Sequence, residues 1–310
     1  MHPSAHELVT DAGPVAPAGR EPENPPDVLL RLHTPDEQVA FPERPWRWKR
    51  RTLVALSLGM IILFILATPA GLMNKADMIA YAICHRIPSH SMLVGERPLP
   101  LCARCTGTYL GAMLALGTFL IARRKATELP PFPVLLTLVS FSALMAIDGL
   151  NSYINLFPGR QGLYQPHNTL RLLTGTLNGL MMGSILYPVA VGTFWRLTDR
   201  PPARVLRSFR ELGGLVLLAL ATVGLASTGL PIILYPVALI SSAGIVVVLT
   251  VVNAIIVLVL ARRENTAESW RDLIPALLIG LAVSLALIGT VSVVRYALTG
   301  TLSGLPGLPS

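Results

Sequence analysis

Apolar residues run almost unbroken through seven stretches of the chain, at about 52–72, 106–122, 132–149, 170–194, 212–229, 232–261 and 273–298. Each is close to or above the roughly 18 residues that an α-helix needs to cross a hydrocarbon core. The pattern predicts an all-α, polytopic bundle of about seven transmembrane helices. Gly229-Leu230-Pro231 interrupts a nearly continuous greasy stretch, so 229–233 is either a loop between two spans or the break of a re-entrant pair. Composition agrees with a bilayer as solvent: 52% of residues are hydrophobic, 14% are charged and the mean hydropathy is +0.59.

The polar connections differ in charge, and the difference predicts orientation. Alternate connections carry Arg44 to Arg51, Arg123 to Lys125, Arg196 to Arg210 and Arg262 to Arg271, whereas the other side holds only Lys75, Arg86, Arg97, Arg104, Arg160, Arg171 and Arg295. Cytoplasmic flanks retain positive charge during insertion, so the amino terminus is expected inside and the carboxyl terminus outside, in a multi-pass protein of the cell membrane. The formal net charge of +8 is then explained by loops lying against anionic membrane lipids, without nucleic acid.

Four regions follow. Residues 1–47, rich in proline and without an apolar period, read as a disordered cytoplasmic tail, either a solvated extension or a docking segment for a protein partner. Trp46-Arg47-Trp48-Lys49-Arg50-Arg51 reads as an interfacial anchor. Residues 48–195 form a four-helix membrane domain, 196–211 a basic cytoplasmic loop, and 212–310 a three-helix apolar extension.

The chain's three cysteines, Cys84, Cys102 and Cys105, all fall in the connection at 73–105, on the expected outer face. Cys102-Ala103-Arg104-Cys105 at a helix start directs two sulfurs to one centre, where unpaired helix N–H groups and Arg104 favour thiolate. Cys84 and one imidazole, His85 or His90, complete a Cys3His set suited to tetrahedral zinc. Two other chemistries use the same residues: a thiol–disulfide relay, and a single structural disulfide from Cys84 that leaves an odd thiol. Asp148 closes the third span and Asn168 and Arg171 open the fourth, so with Arg86 and Arg104 they are expected to build a polar pocket around the sulfurs. Gly107 and Gly111 in the second span, and Gly175, Gly179 and Gly183 in the fourth, make small-residue stripes that would let those two helices meet beneath it.

The strings Ile83-Cys84-His85-Arg86-Ile87-Pro88-Ser89 and Pro100-Leu101-Cys102-Ala103-Arg104-Cys105-Thr106-Gly107 resemble the bacterial and archaeal predicted membrane proteins grouped as domain of unknown function 2085. Asp148-Gly149 and the helix start with Asn168, Arg171, Thr174 and Gly175 are similar to that family's second signature. The resemblance covers about 75–190. It implies that these residues act together, favours His85 over His90 as the imidazole, and names no reaction.

The expectation is therefore an integral membrane protein with an outer-face metal–thiolate site of Cys84, His85, Cys102 and Cys105, most simply zinc. Asp148, Arg86, Arg104, Asn168 and Arg171 are candidate catalytic groups for a hydrolase or transferase acting on a lipid-derived or anionic substrate. The alternatives are a membrane thiol–disulfide redox protein and a scaffold or complex subunit with a structural disulfide or structural zinc. The sequence holds no Cys-x-x-Cys-His string for covalent haem and no phosphate-cradling Gly-rich loop for a nucleotide.

Overall fold

A computed structural model describes residues 47–122, 126–157, 159–196 and 203–302. The predicted tail up to Trp46, the side chains at 47–50 of the aromatic–basic anchor and parts of the basic loops lie outside the described residues. Among those residues there are eight α-helices: α1 (Arg47–Ala67), α2 (Leu72–Ile83), α3 (Ala103–Ala122), α4 (Phe132–Ile154), α5 (Asn168–Phe194), α6 (Phe209–Ser227), α7 (Pro231–Leu260) and α8 (Trp270–Thr299). The six from α3 to α8 are each long and apolar enough to span a membrane. Their outward faces remain greasy, with Ile121, Leu260 and Leu298 each at least 80% exposed, a surface that only lipid covers without cost.

The first greasy stretch ends earlier than its hydropathy predicts. Pro69 has no N–H to continue the ladder, and Gly71 takes a left-handed φ of 94°. The chain then turns by 109° into α2. Lys75 Nζ seals the break by donating to the Ile65 carbonyl at 2.7 Å and to Thr68 Oγ1 at 2.9 Å. Helix α2 falls inside the connection expected to be simply polar. Asn74, Lys75 and Asp77 dilute its hydropathy, yet Ala76, Ala80 and Tyr81 make a buried stripe against the bundle. At the other doubtful point, α6 and α7 are separate spans joined by a tight turn, Gly229 supplying a φ of 74°.

Helices α3 and α5 form the centre. A Cβ on Gly107 would lie 2.2 Å from the Leu172 carbonyl oxygen, one on Gly111 2.1 Å from that of Thr176, and one on Gly179 2.1 Å from that of Thr108. The two backbones therefore touch directly along both predicted glycine stripes. Helix α4 flanks α5, α7 packs on α3, and α8 lies against α7 and both α1 and α2. The last three helices are thus wrapped onto the earlier ones. At one end the segments at 126–131, 195–196, 203–208 and 261–269 are tied by the Glu128–Arg204 and Trp195–Ala267 bridges. The opposite end gathers the 84–102 segment with its short hairpin, β1 (Leu93–Val94) and β2 (Arg97–Pro98), the end of α4 and the start of α5.

Gly111→Val or Gly179→Val is expected to lower the thermal unfolding midpoint in detergent, because a side chain forced against rigid backbone costs about 1–3 kcal/mol or more. Gly117→Ala, which has nothing within 4 Å of the added carbon, should be neutral or stabilising by up to about 1 kcal/mol.

Candidate metal centre

Two pieces of chain, the end of α2 and the start of α3, deliver the three sulfurs. Cys84 is the C-cap of α2, where the helix ends because that residue is extended at φ −107°, ψ 144°. Cys102 immediately precedes α3, and Cys105 lies in its first turn. The three Sγ atoms lie within 4.8 Å of one another. All are free thiols, with Cys84 and Cys102 buried and Cys105 half-buried.

Backbone donors point at this cluster. The Cys102 N–H donates to Cys84 Sγ at 3.3 Å, and the Cys105 N–H to Cys102 Sγ at 3.5 Å. Cys102 thus caps α3 as a serine or aspartate would, with the positive end of the helix beside its sulfur. The Cys102 and Cys105 thiols hydrogen-bond the Cys84 sulfur and hold it far below the usual thiol range, overcoming the opposing effect of burial. Cys102 moves the other way. The Cys105 thiol lowers it, but its own bond to Cys84, burial and the Cys84 charge together push it up. By itself the cluster therefore favours one thiolate shared among three sulfurs; further ionisation needs a cation between them.

His85 is not part of the sulfur group. Its Nδ1 accepts the Ile87 backbone N–H at 3.1 Å, which occupies the lone pair on that nitrogen and leaves the neutral ring's proton on Nε2. Its ring meets that of His90 edge-on, with centroids 5.5 Å apart. Burial lowers the pKa of His85; the Cys84 charge raises it, and Arg104, Arg171 and Arg295 lower it further. His90, also buried, is pushed down to about 4 by burial and then by Arg171, His85 and Arg104, with Cys84 opposing.

The carboxylate and guanidinium groups form an adjoining network. Asp148, only 1% exposed, pairs with Arg104, whose Nε donates to Oδ2 at 3.0 Å and whose Nη2 reaches the same oxygen. Tyr164 donates to Oδ1 at 2.8 Å and Thr174 to Oδ2 at 3.4 Å, so both carboxylate oxygens are engaged. Ser152 Oγ accepts from Arg104 at 2.9 Å and from Arg171 at 3.4 Å. Arg171 also donates to Asn168 Oδ1 at 2.8 Å, and the Asn168 amide reaches back to the Ser89 and Ser91 carbonyls, each at 3.2 Å. Arg104, Asp148, Asn168 and Arg171 are thereby brought together. Arg86 stands apart from this network: with φ +54° it turns to Asp77 at 2.7 Å and to the Leu302 carbonyl.

One further residue at the site is read from sequence only as a cation of the less basic side. Arg295, near the end of α8, donates to the carbonyls of Tyr81, of Cys84 at 2.6 Å and of His85 at 3.3 Å, and stacks 4.3 Å over the Tyr81 ring. It supplies donors to carbonyls that the end of α2 leaves without helical partners. Its isolation in a strongly apolar helix was the available signal.

A multi-pass helical membrane protein with a trio of thiols, two of them buried, at one end of the bundle is the class this arrangement defines. The model of the predicted membrane protein family DUF2085 matches residues 84–185. An uncharacterized protein of Methanothermobacter thermautotrophicus is 33% identical over 99 residues, 32% of this chain and 78% of that protein. An uncharacterized protein of Methanocaldococcus jannaschii is 28% identical over 107 residues, 34% of this chain, and the chain spans 63% of that relative's length. The chain belongs to the DUF2085 family. No solved structure matches it. The matched residues carry all three cysteines, His85, His90 and the Arg104–Asp148 pair, whereas Arg295 lies beyond them.

Asp148→Asn should lower stability by about 3–5 kcal/mol, the usual cost of removing one partner of a buried ion pair, read as a lower unfolding midpoint. The pH dependence follows from His90. The unfolded chain takes up protons near pH 6.5, whereas the folded ring resists until about 4. The unfolded state therefore binds more protons in that window, and stability falls as pH drops through it. Unfolding midpoints measured from neutrality downwards should show this loss, and His90→Gln should shrink it.

Proposed function

We propose that Cys84, Cys102 and Cys105 hold a thiophilic divalent metal, zinc by the softness of the donors, with a fourth position left to an external ligand on the extracytoplasmic side of the membrane. The single observation that carries this reading is the convergence of three sulfurs within 4.8 Å, with two backbone N–H groups aimed at them. Such a trio repels a second and third negative charge unless a cation stands between the sulfurs. The committed lone pair on His85 Nδ1 argues for three protein ligands rather than the Cys3His set. A site with three protein ligands has the coordination of reactive rather than purely structural zinc.

Arg104 and Arg171, which share Ser152 Oγ, and Arg295 at the Cys84 carbonyl would suit an anionic or lipid-derived substrate. A metal held here would act as a Lewis acid on an oxygen of that substrate, in a hydrolysis or transfer reaction. Asp148 serves in this reading by fixing Arg104, since both its oxygens already accept hydrogen bonds. Sidedness rests on the distribution of Lys and Arg among the connections.

Metal analysis of protein purified in detergent is expected to find about one zinc or similar ion per chain, lost in Cys84→Ser and Cys102→Ser. His85→Ala should keep it, and cobalt substitution should give a sulfur-to-metal charge-transfer band in both wild type and His85→Ala. Metal-free protein that takes up neither zinc nor cobalt overturns the proposal. A Cys102–Cys105 disulfide in freshly purified protein does so in favour of thiol–disulfide chemistry.

A further inference from the structure

A cavity of about 950 Å³ lies between α1 and α8, toward the ends from which both helices start. Its two walls have the same build. Arg51, Val54, Ala55 and Leu58 line it from α1, and Arg271, Ile274, Pro275 and Leu278 from α8. Both sets follow the i, i+3, i+4, i+7 spacing of a single helix face, with the arginine first and only apolar residues after it. The two helices run in the same direction, so one end of the groove carries two guanidinium groups and two helix N-termini, and the remainder is hydrocarbon.

Neither arginine has an ion-pair or hydrogen-bond partner among the described residues. The nearest carboxylate in sequence, Asp272, is engaged at the α8 cap, where it accepts from the Glu268 and Ser269 backbone N–H groups and from Ser269 Oγ.

We infer that this groove holds one anionic glycerophospholipid, its phosphate between Arg51 and Arg271 and an acyl chain along Val54, Ala55, Leu58, Ile274, Pro275 and Leu278. A groove on the flank of a membrane bundle opens to lipid, and its apolar walls exclude ordered water, so an acyl chain is the filling the solvent supplies. Guanidinium is the side chain best matched to phosphate oxygens, and the positive ends of two helices add to the attraction. The site is at the end of the bundle away from the thiols and is independent of the metal proposal.

The full chain in mild detergent, incubated with phosphatidylglycerol or phosphatidylcholine of identical acyl chains, tests this by native mass spectrometry and thermal unfolding. One phosphatidylglycerol should be retained per chain, about thirtyfold more strongly than phosphatidylcholine, as two cations near an anionic headgroup provide. It should also raise the unfolding midpoint, while inorganic phosphate does not. Arg51→Gln/Arg271→Gln should erase the headgroup preference, and Ala55→Trp, which fills the groove but keeps both arginines, should lower retention of both lipids. Equal retention of the two lipids by wild type, or undiminished phosphatidylglycerol retention by both variants, overturns the inference. So does a photo-crosslinker at position 55 that captures residues 1–45 of the chain instead of lipid.

Discussion

Everything at the thiol end depends on the contact between α3 and α5, where carbonyl oxygens lie where glycine side chains would otherwise be. In a bilayer, helices gain little by burying apolar surface against each other, because lipid is equally apolar; close backbone packing supplies much of the association. The glycine stripes bring the two helices together at their N-terminal ends as well as along their length. The first turn of α3, with Cys105 and Arg104, and the first turn of α5, with Asn168 and Arg171, are thereby neighbours. Asp148, arriving at the far end of α4, is the counter-charge that makes two adjacent buried guanidinium groups tolerable.

The thiol centre depends on helix termini rather than on helix faces. Cys84 closes one helix and Cys102 opens another, and each sulfur takes a backbone N–H that a terminus or loop leaves spare. Helix α2 makes this feasible because it turns by 109° from α1, so that its C-cap is brought to the start of α3. Lys75 and Arg295 complete the local accounting, one sealing the end of α1 and the other the end of α2. The charges of the region are thus mostly matched by carbonyls, hydroxyls and two carboxylates, Asp77 and Asp148.

Arg295 also bears on how the chain is organised. Helices α6 to α8 lie outside the part of the chain that the family model matches and read from sequence as an apolar addition. In the fold α8 packs along α1 and α2 and delivers the cation that holds the Cys84 carbonyl, while α7 packs against α3. The addition is therefore an integral wall of the site. The basic ends of α1 and α8 meanwhile leave a lipid-sized groove at the other end of the same pair of helices.

The sequence by itself determined the membrane-helical class, the six long spans, the meeting of two glycine stripes and the gathering of the cysteines. Hydropathy, spacing four and clustering in one connection are local properties, set by the bilayer's thickness and by helix geometry. It also showed that Arg104, Asp148, Asn168 and Arg171 belong to one layer, because three segment ends meet there. Only the tertiary structure decided that 72–83 is a separate helix turned by 109° from α1, since a 12-residue helix carrying Asn74, Lys75 and Asp77 gives no spanning signal and is held by three buried side chains. It also decided that Arg86 turns to Asp77, that the His85 Nδ1 lone pair is taken by Ile87, and that Arg295 reaches the α2 terminus across more than 200 residues of chain. Those partners are chosen by distance and direction in space, and no periodicity along the chain encodes which carbonyl or carboxylate a long cationic side chain will find.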